Sequence, residues 1–115
     1  MLSLLDKVGL PFQTKIRVVE DTYLFKINNE VLSATTHPYH WWLECKHYDD
    51  ACKCVVIPKG VIGFTGYISH NKYTRDKTPV FSLCFFRKDN GPELMERLNL
   101  YLKVDELDCV PMELV

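Results

Sequence analysis

His40-Trp41-Trp42-Leu43-Glu44-Cys45-Lys46-His47 is the stretch from which the expected architecture grows. Strand side chains alternate, so Trp42, Glu44 and Lys46 share one face, and Trp41, Leu43 and Cys45 share the other. The second face reads as core. The first sets an acid and a base beside a tryptophan. A carboxylate in that position can hold a divalent cation. An ammonium two residues further on can orient a water or stabilise charge developing on a phosphate. The plain alternative is a solvated ion pair between Glu44 and Lys46, worth under about 1 kcal/mol.

Upstream, Leu2, Leu5 and Val8 follow helical spacing with Ser3 as cap, which predicts a helix over 3–9 ended by Gly9 and Pro11. Lys15 to Glu20 and Thr22 to Ile27 read as strands, Asn28-Asn29 as a turn, and Val31 to Thr35 as a third, shorter strand. Downstream, residues 57–73 admit two readings. Ile57, Val61, Phe64 and Ile68 have helical spacing, and Pro58 suits a first turn. Gly60, Gly63 and Gly66 weaken a helix by about 1 kcal/mol each relative to alanine. The helix is favoured, with a strand over Val61 to Ile68 as its rival. Thr78 to Phe86 is a near-continuous apolar strand, expected to be buried on both faces. After the Asn90-Gly91 turn, Pro92 to Leu100 reads as a helix, Tyr101 to Val104 as a strand and Asp105 to Leu107 as a turn. This order predicts one α/β (α+β) domain over 1–115, a small mixed central sheet flanked by helices.

The chain has 115 residues, the size of one ordinary domain, with 47% hydrophobic and 25% charged residues. The formal net charge of -1 argues mildly against a strongly basic nucleic-acid binder, although local patches outweigh the sum. No apolar run reaches the ~18 residues of a membrane span, and the N-terminus lacks the basic region of a signal peptide. Five cysteines, an odd number, suggest reduced thiols in an intracellular, cytoplasmic setting, a host cytoplasm for a viral protein. The sequence contains no phosphate-binding loop, nucleophile elbow or His-Glu-x-x-His motif.

A second carboxylate would complete a minimal Mg²⁺ site, since this hard cation prefers oxygen ligands. Asp21, at the head of the Thr22–Ile27 strand, is the best supplier; its plain role is that of a turn residue. Asp21, the turn, and Leu43-Glu44-Cys45-Lys46 together resemble the PD-(D/E)XK nuclease superfamily. Within it they look most like the archaeal-type Holliday-junction resolvases and related small phage nucleases. The likeness extends over roughly residues 14–86 in order of elements. It implies a restriction-endonuclease-like core and a homodimer that hydrolyses DNA phosphodiesters, branched DNA in particular. Asp21 and Glu44 would then ligate Mg²⁺ (or Mn²⁺), and Lys46 would position the attacking water.

Lys72, Arg75, Lys77, Arg87 and Lys88 gather in the second half of the chain. With Tyr67 and Tyr73 they can form a basic, aromatic-edged surface for a phosphate backbone, or simply a solvated loop. The competing functional class is a non-catalytic binding or inhibitory module, of a viral or phage kind, that acts through protein or nucleic-acid contacts.

Overall fold

The computed structural model describes residues 1–39, 52–70 and 78–115. The expected strand over 40–47, with Glu44, Lys46 and both tryptophans, lies outside the described residues. So do Lys72, Arg75, Lys77 and Tyr73.

The structure is a mixed α+β domain. Helix α1 (Leu4–Val8) opens the chain. Its start follows from chemistry: the Ser3 hydroxyl accepts from the Asp6 N–H while the Asp6 carboxylate accepts from the Ser3 N–H, a capping box. Strands β1 (Lys15–Val18), β2 (Thr22–Ile27) and β3 (Glu30–Thr35) follow. Then come β4 (Lys53–Ile57), β5 (Ile62–Thr65), the short β6 (Ser69–His70) and β7 (Pro79–Phe85). Helix α2 (Arg87–Asn90), a 3-10 turn (Gly91–Glu93), β8 (Leu98–Leu102), α3 (Val104–Asp108) and β9 (Met112–Leu114) complete the chain.

The sheet runs β4-β2-β3-β8-β7-β5-β1-β9, and β6 pairs with β7. Among the described residues the β3–β8 contact is the parallel one, at Glu30 opposite Tyr101, where the Tyr101 N–H also donates to Asn29 O at 2.8 Å. The other pairings are antiparallel. Both hydrogen-bonding edges of β2 are taken, by β3 and by β4.

One continuous core lies on one face of this sheet. Ile16 and Val18 of β1, Leu24 of β2, Phe81, Leu83 and Phe85 of β7, and Leu98, Leu100 and Leu102 of β8 are all buried in it, each set spaced by two. Leu107 and Val110 close it from the side of α3. Leu24 and Phe25 are adjacent in β2 and both buried, so that strand is covered on both faces.

Three expectations are corrected. The favoured helix over 57–73 is instead β5 and β6 within its described part. The glycines explain the change. A Cβ on Gly63 would lie 2.6 Å from the Phe85 ring, and one on Gly66 would lie 2.6 Å from Ser82 Oγ. These glycines permit the close approach of β5 to β7. Gly60 sits at the third position of the Pro58–Val61 turn with φ +91°, a conformation side chains resist. The expected helix over Pro92–Leu100 is a single 3-10 turn followed by β8. Leu94 and Leu98 have helical spacing, yet Leu98, Leu100 and Leu102 carry the strand period, and burial of that face wins. Asp105 to Leu107, expected as a turn, belongs to α3. The helices α1, α2 and α3 are thus short, of four or five residues each. β7 also differs in part: Phe81, Leu83 and Phe85 are buried, but Val80, Ser82 and Cys84 are only half-buried.

Candidate functional site

The second face of the sheet is where β7 stays half-open. Register places Lys15 opposite Phe64, Phe64 opposite Cys84, and Cys84 opposite Asn99, a row across β1, β5, β7 and β8. The Cys84 thiol donates to Asn99 Oδ1 at 3.2 Å within this row. Phe86 continues the alternation of β7 onto the same side. A cleft of about 560 Å³ opens there, lined by Phe12, Gln13, Phe64, Thr65, Gly66, Cys84, Phe86, Lys88 and Asp89.

Its walls are aromatic. Phe64 meets Phe86 edge-on, with centroids 6.1 Å apart. Phe12 stacks on Tyr67 at 3.9 Å with planes 10° apart, and Tyr67 is 72% exposed. Arg97 lies over Phe86, its guanidinium carbon 4.7 Å from the ring centroid. Arg97 precedes β8 as Phe86 follows β7, so the antiparallel ladder brings them together.

The rim at Gln13 is held firmly. Gln13 takes φ 61°, a left-handed backbone uncommon outside glycine. Its N–H donates to Thr65 O at 2.8 Å, and the Thr14 N–H donates to Thr65 Oγ1 at 2.9 Å. The Thr65 hydroxyl in turn donates to Pro11 O at 2.6 Å. Lys88 and Arg87 are exposed on α2, and neither they nor Arg97 form an ion pair among the described residues. Asp89, on the same helix, adds an acid to the lining of the cleft.

Asp21 is exposed elsewhere, at the head of β2. One carboxylate oxygen accepts the Lys59 N–H at 2.8 Å and so ties β2 to the turn between β4 and β5. Of the expected nucleic-acid contacts, the described ones are Arg87 and Lys88, and Lys88 lines the cleft. Among the described residues no three of His, Cys, Asp and Glu come together as a metal site. Also among them, no helix is long and apolar enough to cross a membrane.

A separate polar feature sits under α1. Lys7 is 6% exposed, and its ammonium donates to Leu107 O at 3.1 Å and Asp108 O at 3.2 Å, closing the C-terminal end of α3. Burial pulls Lys7 below its ordinary value of 10.5, against the opposing pull of Asp108 and Cys109. Burial, joined by Asp108, pushes the Cys109 thiol above its ordinary 9.0.

The sequence reading missed Phe12, Gln13, Phe64, Phe86 and Arg97 as companions of Lys88. Phe85-Phe86-Arg87-Lys88 carried a local hint, an aromatic pair running straight into two cations. No family model matches the chain, and neither a curated protein nor a solved structure is similar to it.

Proposed function

We propose that this protein is a binding module for nucleic acid and that the aromatic cleft is its working surface. The observation that carries this reading is the meeting of rings, exposed at Phe12 and Tyr67 and half-buried at Phe64 and Phe86, with Lys88, Arg87 and Arg97, cations that form no ion pair among the described residues. Rings supply stacking faces for bases, and lysine and arginine supply partners for phosphate. The net charge near zero suits a protein that holds nucleic acid by stacking more than by charge. The test is fluorescence anisotropy of a labelled oligonucleotide titrated with protein. Saturable binding that weakens in Arg97→Ala and Lys88→Ala supports the reading. Absence of binding at tens of micromolar protein removes it.

A second reading keeps the metal-dependent endonuclease, with a restriction-endonuclease-like core and branched DNA as substrate. What favours it is the placement of Asp21. Its carboxylate is exposed at the head of β2, the end of the sheet at which β3 finishes with Thr35 opposite Tyr23. In this reading Asp21 and Glu44 hold Mg²⁺, an oxygen donor set that suits a hard cation. The cation supplies charge stabilisation at the phosphate, Lys46 orients a water, and a homodimer serves the two strands of a junction. Cleavage of a labelled four-way junction with Mg²⁺ or Mn²⁺, lost with EDTA and in Glu44→Ala and Lys46→Ala, supports it. An uncut junction with both metals and a folded wild type removes it.

A further inference from the structure

We infer that the cleft takes a single unstacked base, so that the protein selects single-stranded over duplex nucleic acid. The inference rests on the binding reading above and narrows it to one class of ligand. Four features of the site lead there.

The open cleft holds about 560 Å³, within the range of pockets that take drug-sized ligands and so with room for one base. Its apolar surface is ring rather than alkyl: Phe12, Phe64 and Phe86 line it, and a base presents a flat face that such rings accept. Two side chains adjoin the lining rings. Tyr67 is stacked on Phe12 at 3.9 Å and largely exposed, and the Arg97 guanidinium lies over the Phe86 ring. Guanidinium planes stack on bases as aromatic rings do. The polar lining is sparse: Gln13 and Thr65 form one part of the rim, and Lys88 and Asp89 of α2 form another. An amide and a carboxylate can pair with the edge of a base, and Lys88 can meet its phosphate. Gln13 is fixed in a left-handed conformation by hydrogen bonds on both sides of it, which presets this rim before a ligand arrives.

A base inside a duplex shows neither face, so it cannot enter without being pulled from its stack. The rim also has only a few cations, balanced by Asp89, so backbone contacts alone give little affinity. Duplex and base-free strands therefore bind weakly, and the dependence on salt is shallow for a nucleic-acid binder.

The experiment compares three labelled probes by anisotropy: a twelve-nucleotide oligothymidylate, a hairpin duplex of matched length, and an abasic strand with the same backbone. The wild type is expected to bind the oligothymidylate about tenfold or more tighter than either of the others. Tyr67→Ala and Arg97→Lys are expected to lower that affinity several-fold while leaving the urea unfolding midpoint in place, since both side chains lie at the surface. Equal affinity for all three probes overturns the base-in-cleft inference and leaves nucleic-acid binding standing. Preference for the oligothymidylate that neither variant lowers moves the base elsewhere on the molecule and overturns the assignment of the cleft. No binding to any probe removes both.

Discussion

Strands β4, β2 and β3 form an antiparallel block with β2 at its centre, in which the β2–β3 turn is Asn28-Asn29. Strands β8, β7, β5, β1 and β9 are drawn from both ends of the chain, and their second face carries the cleft. Among the described residues the two blocks pair through one parallel backbone bridge, Glu30 to Tyr101. Yet Leu24, Val31, Ala34 and Ile57 of the first block lie in the same buried cluster as Leu83, Leu98, Leu100 and Leu102 of the second. The difference teaches that side-chain burial, not the hydrogen-bond ladder, makes one domain of this sheet.

The largest expected effect tests that union directly. Leu100 is 1% exposed at the seam. Leu100→Ala is expected to destabilise the protein by roughly 2–5 kcal/mol. Hydrogen exchange at Leu24 and Leu83 should then speed up together. Acceleration confined to β7 and β8 would show that the blocks open separately.

Next comes the packing of β5 on β7. Gly63→Ala is expected to cost about 1–3 kcal/mol, because its Cβ would meet the buried Phe85 ring. Adding Phe85→Leu should recover part of that loss, a non-additivity that a urea double-mutant cycle reads. Strict additivity would mean that the two side chains do not compete for the space.

In the first block, Asp21→Ala removes the acceptor for the Lys59 N–H. The expected loss is about 0.5–1 kcal/mol, at the low end for a hydrogen bond because the site is exposed. Exchange at Lys59 and Gly60 should rise while β7 is unchanged. A loss as large as that of Leu100→Ala would give Asp21 a structural weight that this geometry does not.

The smallest effect is a slope. Lys7 is depressed by burial, so the folded state resists its protonation more than the unfolded state does. Stability should therefore rise with pH from its folded pKa up to the ordinary 10.5. Cys109, raised, acts in the opposite sense: stability falls as pH climbs past 9.0 towards its folded value. In a Cys109→Ser background the urea midpoint should rise with pH below 10.5, and Lys7→Met in the same background should flatten that rise. An unchanged slope would place the titration elsewhere.

How well the sequence announces a strand does not follow the division into blocks. Strands β1, β2, β3 and β7 were legible from their β-branched, aromatic and apolar runs, and α1 from the spacing of Leu2, Leu5 and Val8 behind Ser3. Residues 57–68 were misread because Ile57, Val61, Phe64 and Ile68 imitate a helical stripe, while the reason for Gly63 and Gly66 lies on another strand. Leu94 and Leu98 misled in the same way. The cleft was only half legible. Arg87, Lys88 and Tyr67 could be marked as a basic, aromatic patch, but Phe12, Phe64 and Arg97 join it through register between distant strands.

The Lys7 ammonium meets Leu107 O across a separation of 100 residues, and β1 pairs with β9 near the two ends of the chain. Such contacts have a kinetic meaning. The β2–β3 hairpin closes a short loop and can form early. The β1–β9 ladder and the Lys7 latch must wait until almost the whole chain has been gathered. Folding should therefore run from the β2–β3 hairpin towards the β1–β9 ladder, at the slower pace of domains rich in long-range strand pairing. The last event is the docking of α1 beneath α3, which drives water away from one buried ammonium.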